Sequence, residues 1–161
     1  MATGNTLLEW LPADGEPPSS NYATLITRNG ILVAEFDDTT AESLVFRGVV
    51  PSHYGGGGLT LEAHWMGKTA TTGNVVWGGE IERGNTDLDA DSFASQQTAT
   101  GAANGTSGIE TVTSITFSSG ANMDSLAAGE AFRLRLQRVA ANGSDTMSGD
   151  AQLIALYLKE T

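Results

Sequence analysis

Apolar side chains recur with a two-residue period along nearly the whole chain, and Asn-Gly, glycine runs or proline interrupt the period at short intervals. Leu59, Leu61, Ala63 and Trp65 alternate with Thr60, Glu62 and His64; Phe132, Leu134 and Leu136 alternate with Arg133, Arg135 and Gln137. Successive side chains of an extended chain point to opposite faces, so this period buries one face of a strand and would scatter the same residues around a helix. Asn29-Gly30 separates Tyr22-Ala23-Thr24-Leu25-Ile26-Thr27 from Ile31-Leu32-Val33-Ala34-Glu35-Phe36. Both turn residues accept positive φ, which predicts a two-residue hairpin. From Ile31 onward eight strands are predicted, near residues 31–36, 43–50, 59–65, 75–83, 93–100, 109–117, 131–138 and 152–159. The last is apolar on both faces and reads as a central or interface strand. One turn near residues 123–126 is the only helical candidate. The expected fold is all-β, an antiparallel eight-stranded sandwich of jelly-roll count, with immunoglobulin-like strand order open.

Residues 1–21 differ in texture. Leu7, Leu8, Trp10 and Leu11 form a short apolar run, followed by Pro17-Pro18 and small polar residues that cannot continue a helix. Two readings stand: an arm or linker (1–21) tethered to a sandwich domain (22–161), or a first strand folded onto that domain. No segment approaches the ~20 apolar residues of a membrane span, and the first residues carry no basic, apolar leader pattern. The chain has no cysteine, which removes thiol catalysis and cysteine-ligated metals. Nineteen acids against eight bases give a net charge of −11, which disfavours nucleic acid and anionic membranes as partners.

Catalytic patterns are wanting. His53 and His64 have no neighbouring nucleophile motif, and residues 55–58, four glycines, lack the lysine and helix of a phosphate loop. Asp87, Asp89 and Asp91 alternate as in a calcium loop, but Ser92 and Thr98 stand where that loop needs Gly and Glu, so a solvated turn is the simpler reading. Glu80 and Glu82 share a spacing with Arg133 and Arg135, which predicts an Arg–Glu ladder across strands or subunits rather than a glycosidase pair. Arg133, Arg135 and Arg138 concentrate three of the eight bases and are expected to face acids of a neighbouring copy or partner. No catalytic, cofactor or metal residue is assigned.

Glu16-Pro17-Pro18-Ser19-Ser20-Asn21-Tyr22-Ala23-Thr24-Leu25, Gly73-Asn74-Val75-Val76-Trp77 and Asp89-Ala90-Asp91-Ser92-Phe93-Ala94 resemble segments of small virion structural proteins of tailed bacteriophages. So do Met123-Asp124-Ser125-Leu126-Ala127-Ala128-Gly129-Glu130-Ala131-Phe132-Arg133-Leu134 and Gly149-Asp150-Ala151, and the resemblance runs over nearly the whole chain. It implies a non-enzymatic capsid cement or decoration protein: a jelly roll that assembles as a homotrimer and binds the major capsid protein. Such a protein is made in the bacterial host cytoplasm and sits on the outer capsid surface. Leu7, Leu8, Trp10, Leu11, Arg133, Arg135, Arg138 and Tyr157 are then the candidate partner contacts. The alternative is a receptor- or carbohydrate-binding head of a tail or head fibre, with Trp65, Trp77 and Tyr54 as candidate stacking residues.

Overall fold

The computed structural model describes residues 4–85 and 87–161. Ten strands form two antiparallel sheets: β1 Thr6–Trp10, β2 Thr24–Arg28, β3 Ile31–Phe36, β4 Ser43–Val49, β5 Leu59–Gly67, β6 Asn74–Arg83, β7 Gln97–Ala102, β8 Thr111–Phe117, β9 Ala131–Arg138 and β10 Ala151–Glu160. One sheet has six strands in the order β2-β3-β10-β5-β8, with β1 also paired to β10; the other has four, β4-β9-β6-β7. The fold is a β-sandwich of jelly-roll type. The eight strands expected from Ile31 onward are β3 to β10. The fifth of them starts later than expected, at Gln97, because Ala94 instead donates its N–H to the Ile81 carbonyl across the sheet end. The helical candidate shrinks to a single 3-10 turn at Ala121–Met123.

Local chemistry accounts for the joints. Asn29 and Gly30 adopt φ of 47° and 84°, and the β2–β3 hairpin pairs Arg28 with Ile31 and Thr24 with Glu35. In β6, a Cβ on Gly79 would lie 2.7 Å from the Phe117 ring, so only glycine lets the two sheets close there. The alternating apolar residues point inward as predicted. Phe36, Trp65 and Trp77 are fully buried, and Trp77 meets Phe36 and Trp65 edge-on at ring-centroid distances of 5.0 and 6.0 Å. The doubly apolar β10 is central, pairing β1, β3 and β5.

Residues 6–10 are not a free arm but the sixth strand of the larger sheet, with Leu8, Glu9 and Trp10 opposite Leu158, Tyr157 and Leu156. Leu7 and Trp10 are buried, and the Trp10 indole donates to the Arg47 carbonyl at 3.0 Å. The physical reason is that an exposed Trp forfeits the burial of a large ring surface, and Phe46 and Phe132 offer that burial at 5.8 and 6.2 Å. The Pro17-Pro18 stretch then crosses to the other sheet, where Glu16 bridges Val45 and Tyr22 bridges Ser43.

The docking of β1 also shapes the surface. β3 pairs β10 only through Phe36, Glu35 and Ala34, while β1 takes the same edge of β10 from Leu156 onward. The β2–β3 hairpin therefore diverges from β10 beyond Leu153, and an irregularity in the β10 register falls at Ile154. A notch opens where the two strands compete for one edge.

Candidate functional site

Two surfaces stand out, one on each sheet. On the outer face of the four-stranded sheet, Glu80 lies opposite Arg135 and Glu82 opposite Arg133 in the β6–β9 register. The Arg133 Nε and Nη2 donate to Glu82 Oε2 at 2.8 and 2.6 Å, and Arg135 pairs in the same way with Glu80 Oε2. This is the ladder expected from the shared two-residue spacing, formed across strands. Arg47 of β4 adds a third rung through a bidentate contact with Glu16 at 2.6–3.0 Å. The guanidinium carbons of Arg133 and Arg135 each sit 4.8 Å from the centre of the Phe93 ring. Pro17 and Pro18 on one side, Leu88 and Phe93 on the other, wall this ladder into a groove of about 390 Å³. The acids that Arg133 and Arg135 were expected to find on a neighbouring copy are supplied within the chain.

Arg138 departs further from expectation. Its side chain is fully buried, bonded to Asp145 at 2.8 and 3.1 Å and to the carbonyls of Phe36, Met147 and Gly149. It cannot meet a partner. The signal that reveals this is its phase: Phe132, Leu134, Leu136 and Arg138 share one face of β9, and that face is the core.

The second surface is apolar. Leu11, Pro12, Ala13, Ile31, Leu32 and Ile154 line a groove of about 330 Å³ at the notch between β1 and β3. Ile31 and Ile154 continue into a second groove bounded by Met66, Gly108 and Arg28, so one trough crosses the outside of the six-stranded sheet. Leu11 and Ile31 remain 63% and 50% exposed, which puts contiguous apolar area in water where a monomer usually has little. Arg28 marks the rim. Among the described residues seven of the eight cations lie within 4.0 Å of a carboxylate, while Arg28 bonds to Gln152, Ser107 and the Gly67 carbonyl. Of the expected arm contacts, Leu11 lies in this trough, Leu8 packs half-buried against the core, and Leu7 and Trp10 are inside. Tyr157 sits half-buried on β10, edge-on to His64 at 4.7 Å.

The remaining candidates do not converge. Trp65, Trp77 and Tyr54 are 0%, 0% and 5% exposed, so none offers a stacking platform. His53 is exposed, and His64 lies between Glu110 at 3.1 Å and Glu62 at 3.7 Å. Asp87 accepts the Asp89 N–H while its carbonyl accepts from Ala90 and Asp91, which is the solvated turn expected there. Among the described residues the carboxylates close enough to share a cation are those of Asp37, Asp38 and Asp150, within 4.8 Å. Their oxygens already serve the fold. Asp37 accepts from Thr39 and Thr40, Asp38 from the Gly149 N–H, and Asp150 pairs with Lys68 at 3.2 Å.

That acidic corner gives a pH prediction. Burial, reinforced by the nearby charges of Asp37, Asp150 and Glu35, raises the Glu42 carboxyl above its ordinary range. A group that binds its proton more tightly when folded destabilises the fold at pH values above its native pKa, and the penalty fades as pH falls through it. Glu42→Gln keeps an acceptor for the Asp37 N–H. It is expected to raise the melting midpoint at pH 7 and to leave it unchanged near pH 4, measured by thermal melts across that range.

No protein-family model and no curated protein sequence matches the chain. Solved structures do match in fold. The C-terminal CBM6 of LamC, a marine laminarinase from Zobellia galactanivorans, is 12% identical over 97% of this chain and 100% of its own, with a TM-score of 0.52. CBM35 from Cellvibrio japonicus Abf62 is 12% identical over 95% and 92%, with a TM-score of 0.50. The family GH115 glucuronidase BtGH115A, with specificity for decorated arabinogalactans, matches at 10% identity over 99% of this chain but 18% of its own, with a TM-score of 0.51. At such identities the likeness establishes the β-sandwich fold.

Proposed function

We propose that this chain is a non-catalytic virion structural protein of a tailed phage, which decorates the capsid as a trimer and docks onto the major capsid protein through the apolar trough. The trough at Leu11, Ile31, Leu32 and Ile154 carries the reading, because exposed, contiguous apolar surface is retained where a partner covers it. The tight internal pairing of the ionisable groups agrees with a docking role, as does the phage-like texture of the sequence. Ile31→Lys and Leu11→Lys change exposed positions and are expected to leave the melting midpoint within about 2 °C, since such substitutions usually act within ±0.5 kcal/mol. Both are expected to abolish co-sedimentation with capsids that lack the native protein. Wild-type binding by both variants would refute the docking site, and a monomer by light scattering would refute the trimer.

A carbohydrate-binding module is the second reading. The matching structures named above belong to carbohydrate-active proteins, and the walled ladder of the four-stranded sheet is the observation that favours it here.

A further inference from the structure

We infer that the groove over the Arg–Glu ladder is a binding site for a neutral oligosaccharide chain. This names the ligand class and the residues for the carbohydrate-binding reading, on which it rests, and it is independent of the trough on the other sheet.

Salt-bridge ladders on a solvated sheet face commonly do nothing beyond holding strands together. This one forms the floor of an open groove. The segment carrying Pro17 and Pro18 rises on one side and the loop carrying Leu88 and Phe93 on the other, leaving about 390 Å³ between them. The floor is ordered before any ligand arrives. Arg133 and Arg135 are each fixed by a carboxylate and by the Phe93 ring, so little side-chain freedom remains to be lost on binding. Their bonds to Glu82 and Glu80 use Nε and Nη2. Arg47 likewise uses Nε and Nη2 toward Glu16. Each guanidinium therefore keeps its Nη1 as a further donor, and the Glu16 carboxylate, with its side chain 49% exposed, offers acceptors beside them.

The occupant must match three properties. It needs hydroxyl-like groups that accept from Arg and donate to Glu, apolar faces to lie against Phe93, Leu88 and the prolines, and no net charge. Three carboxylates neutralise the three cations of the groove, and the chain as a whole carries −11, so a polyanionic ligand meets repulsion. A pyranose chain without acidic groups has all three properties. Arg133 and Arg135 lie about 7 Å apart along β9, two residues of an extended strand, so they can engage successive sugar units.

Affinity electrophoresis of the purified chain in gels containing a soluble β-glucan, a galactomannan, dextran or polygalacturonate tests this. Retardation by at least one neutral polymer and none by polygalacturonate is expected. The Glu80→Gln/Arg135→Gln pair, which keeps a hydrogen bond across the strands, is expected to weaken binding of the matching oligosaccharide at least tenfold by calorimetric titration. Arg47→Gln, whose side chain is 71% exposed and bears little on folding, is expected to weaken it by a smaller factor. Ile31→Lys, on the opposite sheet, leaves the affinity unchanged. Absence of retardation by all three neutral polymers, equal retardation by polygalacturonate, or full affinity in both groove variants would overturn the inference.

Discussion

Replacing Arg138 with methionine is expected to cost about 3–5 kcal/mol, because it strands a buried carboxylate rather than merely deleting a salt bridge. The Asp145 side chain is 2% exposed and its bonds to Arg138 run at 2.8 and 3.1 Å. Without the guanidinium, Asp145 keeps the Val76 N–H at 3.0 Å but loses its counter-charge, and the carbonyls of Met147 and Gly149 lose donors at 2.8 Å. A domain holds roughly 5–15 kcal/mol in all, so the loss is a large fraction of it. For a domain of this size that corresponds to a fall of about 10 °C in the melting midpoint. Adding Asp145→Asn removes the stranded charge while retaining an acceptor for Val76, so the double variant is expected to regain part of the loss. Thermal and urea melts of the single and double variants measure both effects. A single-variant cost below about 1 kcal/mol, or a double variant no better than the single, would show that Arg138 does not act through charge pairing.

Arg138 also shows where sequence reading succeeds and where it stops. The two-residue phase that places Leu59, Leu61, Ala63 and Trp65 in one row also turns Trp65 into the core, and the phase of Phe132, Leu134 and Leu136 does the same to Arg138. Clustering in sequence does not put three bases on one surface: Arg133 and Arg135 are out of step with Arg138 by one residue and stand on the outer face. The ladder itself was readable, since Glu80/Glu82 and Arg133/Arg135 share a spacing that antiparallel register can superpose. The Asn29-Gly30 hairpin was readable because both turn residues accept positive φ. The apolar trough was not. It arises because β1 and β3, far apart in sequence, compete for one edge of β10, and no local pattern encodes which strand yields at Ile154. The groove walls are hidden for the same reason: Pro17 and Leu88 line one groove over a sheet whose strand order periodicity leaves open.

The same competition makes the N-terminal segment the sharpest test of the architecture. Trp10→Ala is expected to cost about 3–5 kcal/mol, the usual range for removing a buried Trp side chain. The ring packs against Phe46 and Phe132 and its N–H bonds to the Arg47 carbonyl, so the loss includes an unsatisfied acceptor. Removing residues 1–21 altogether goes further. It bares the edge of β10 from Leu156 to Lys159, strips the bridge from Glu16 to Val45 and removes the Asn21 carbonyl that accepts the Ser43 N–H. An uncovered edge strand of the sequence Leu-Tyr-Leu-Lys is a template for pairing with other chains. The truncated protein is therefore expected to lose its cooperative melt and to aggregate, whereas a detachable arm would leave the sandwich melting as before. A truncated chain with the wild-type midpoint would mean that β1 contributes nothing to the sheet it completes. The same deletion takes away Leu11, Pro12 and Ala13, one wall of the trough at Ile154, so the truncated chain is also expected to lose co-sedimentation with capsids.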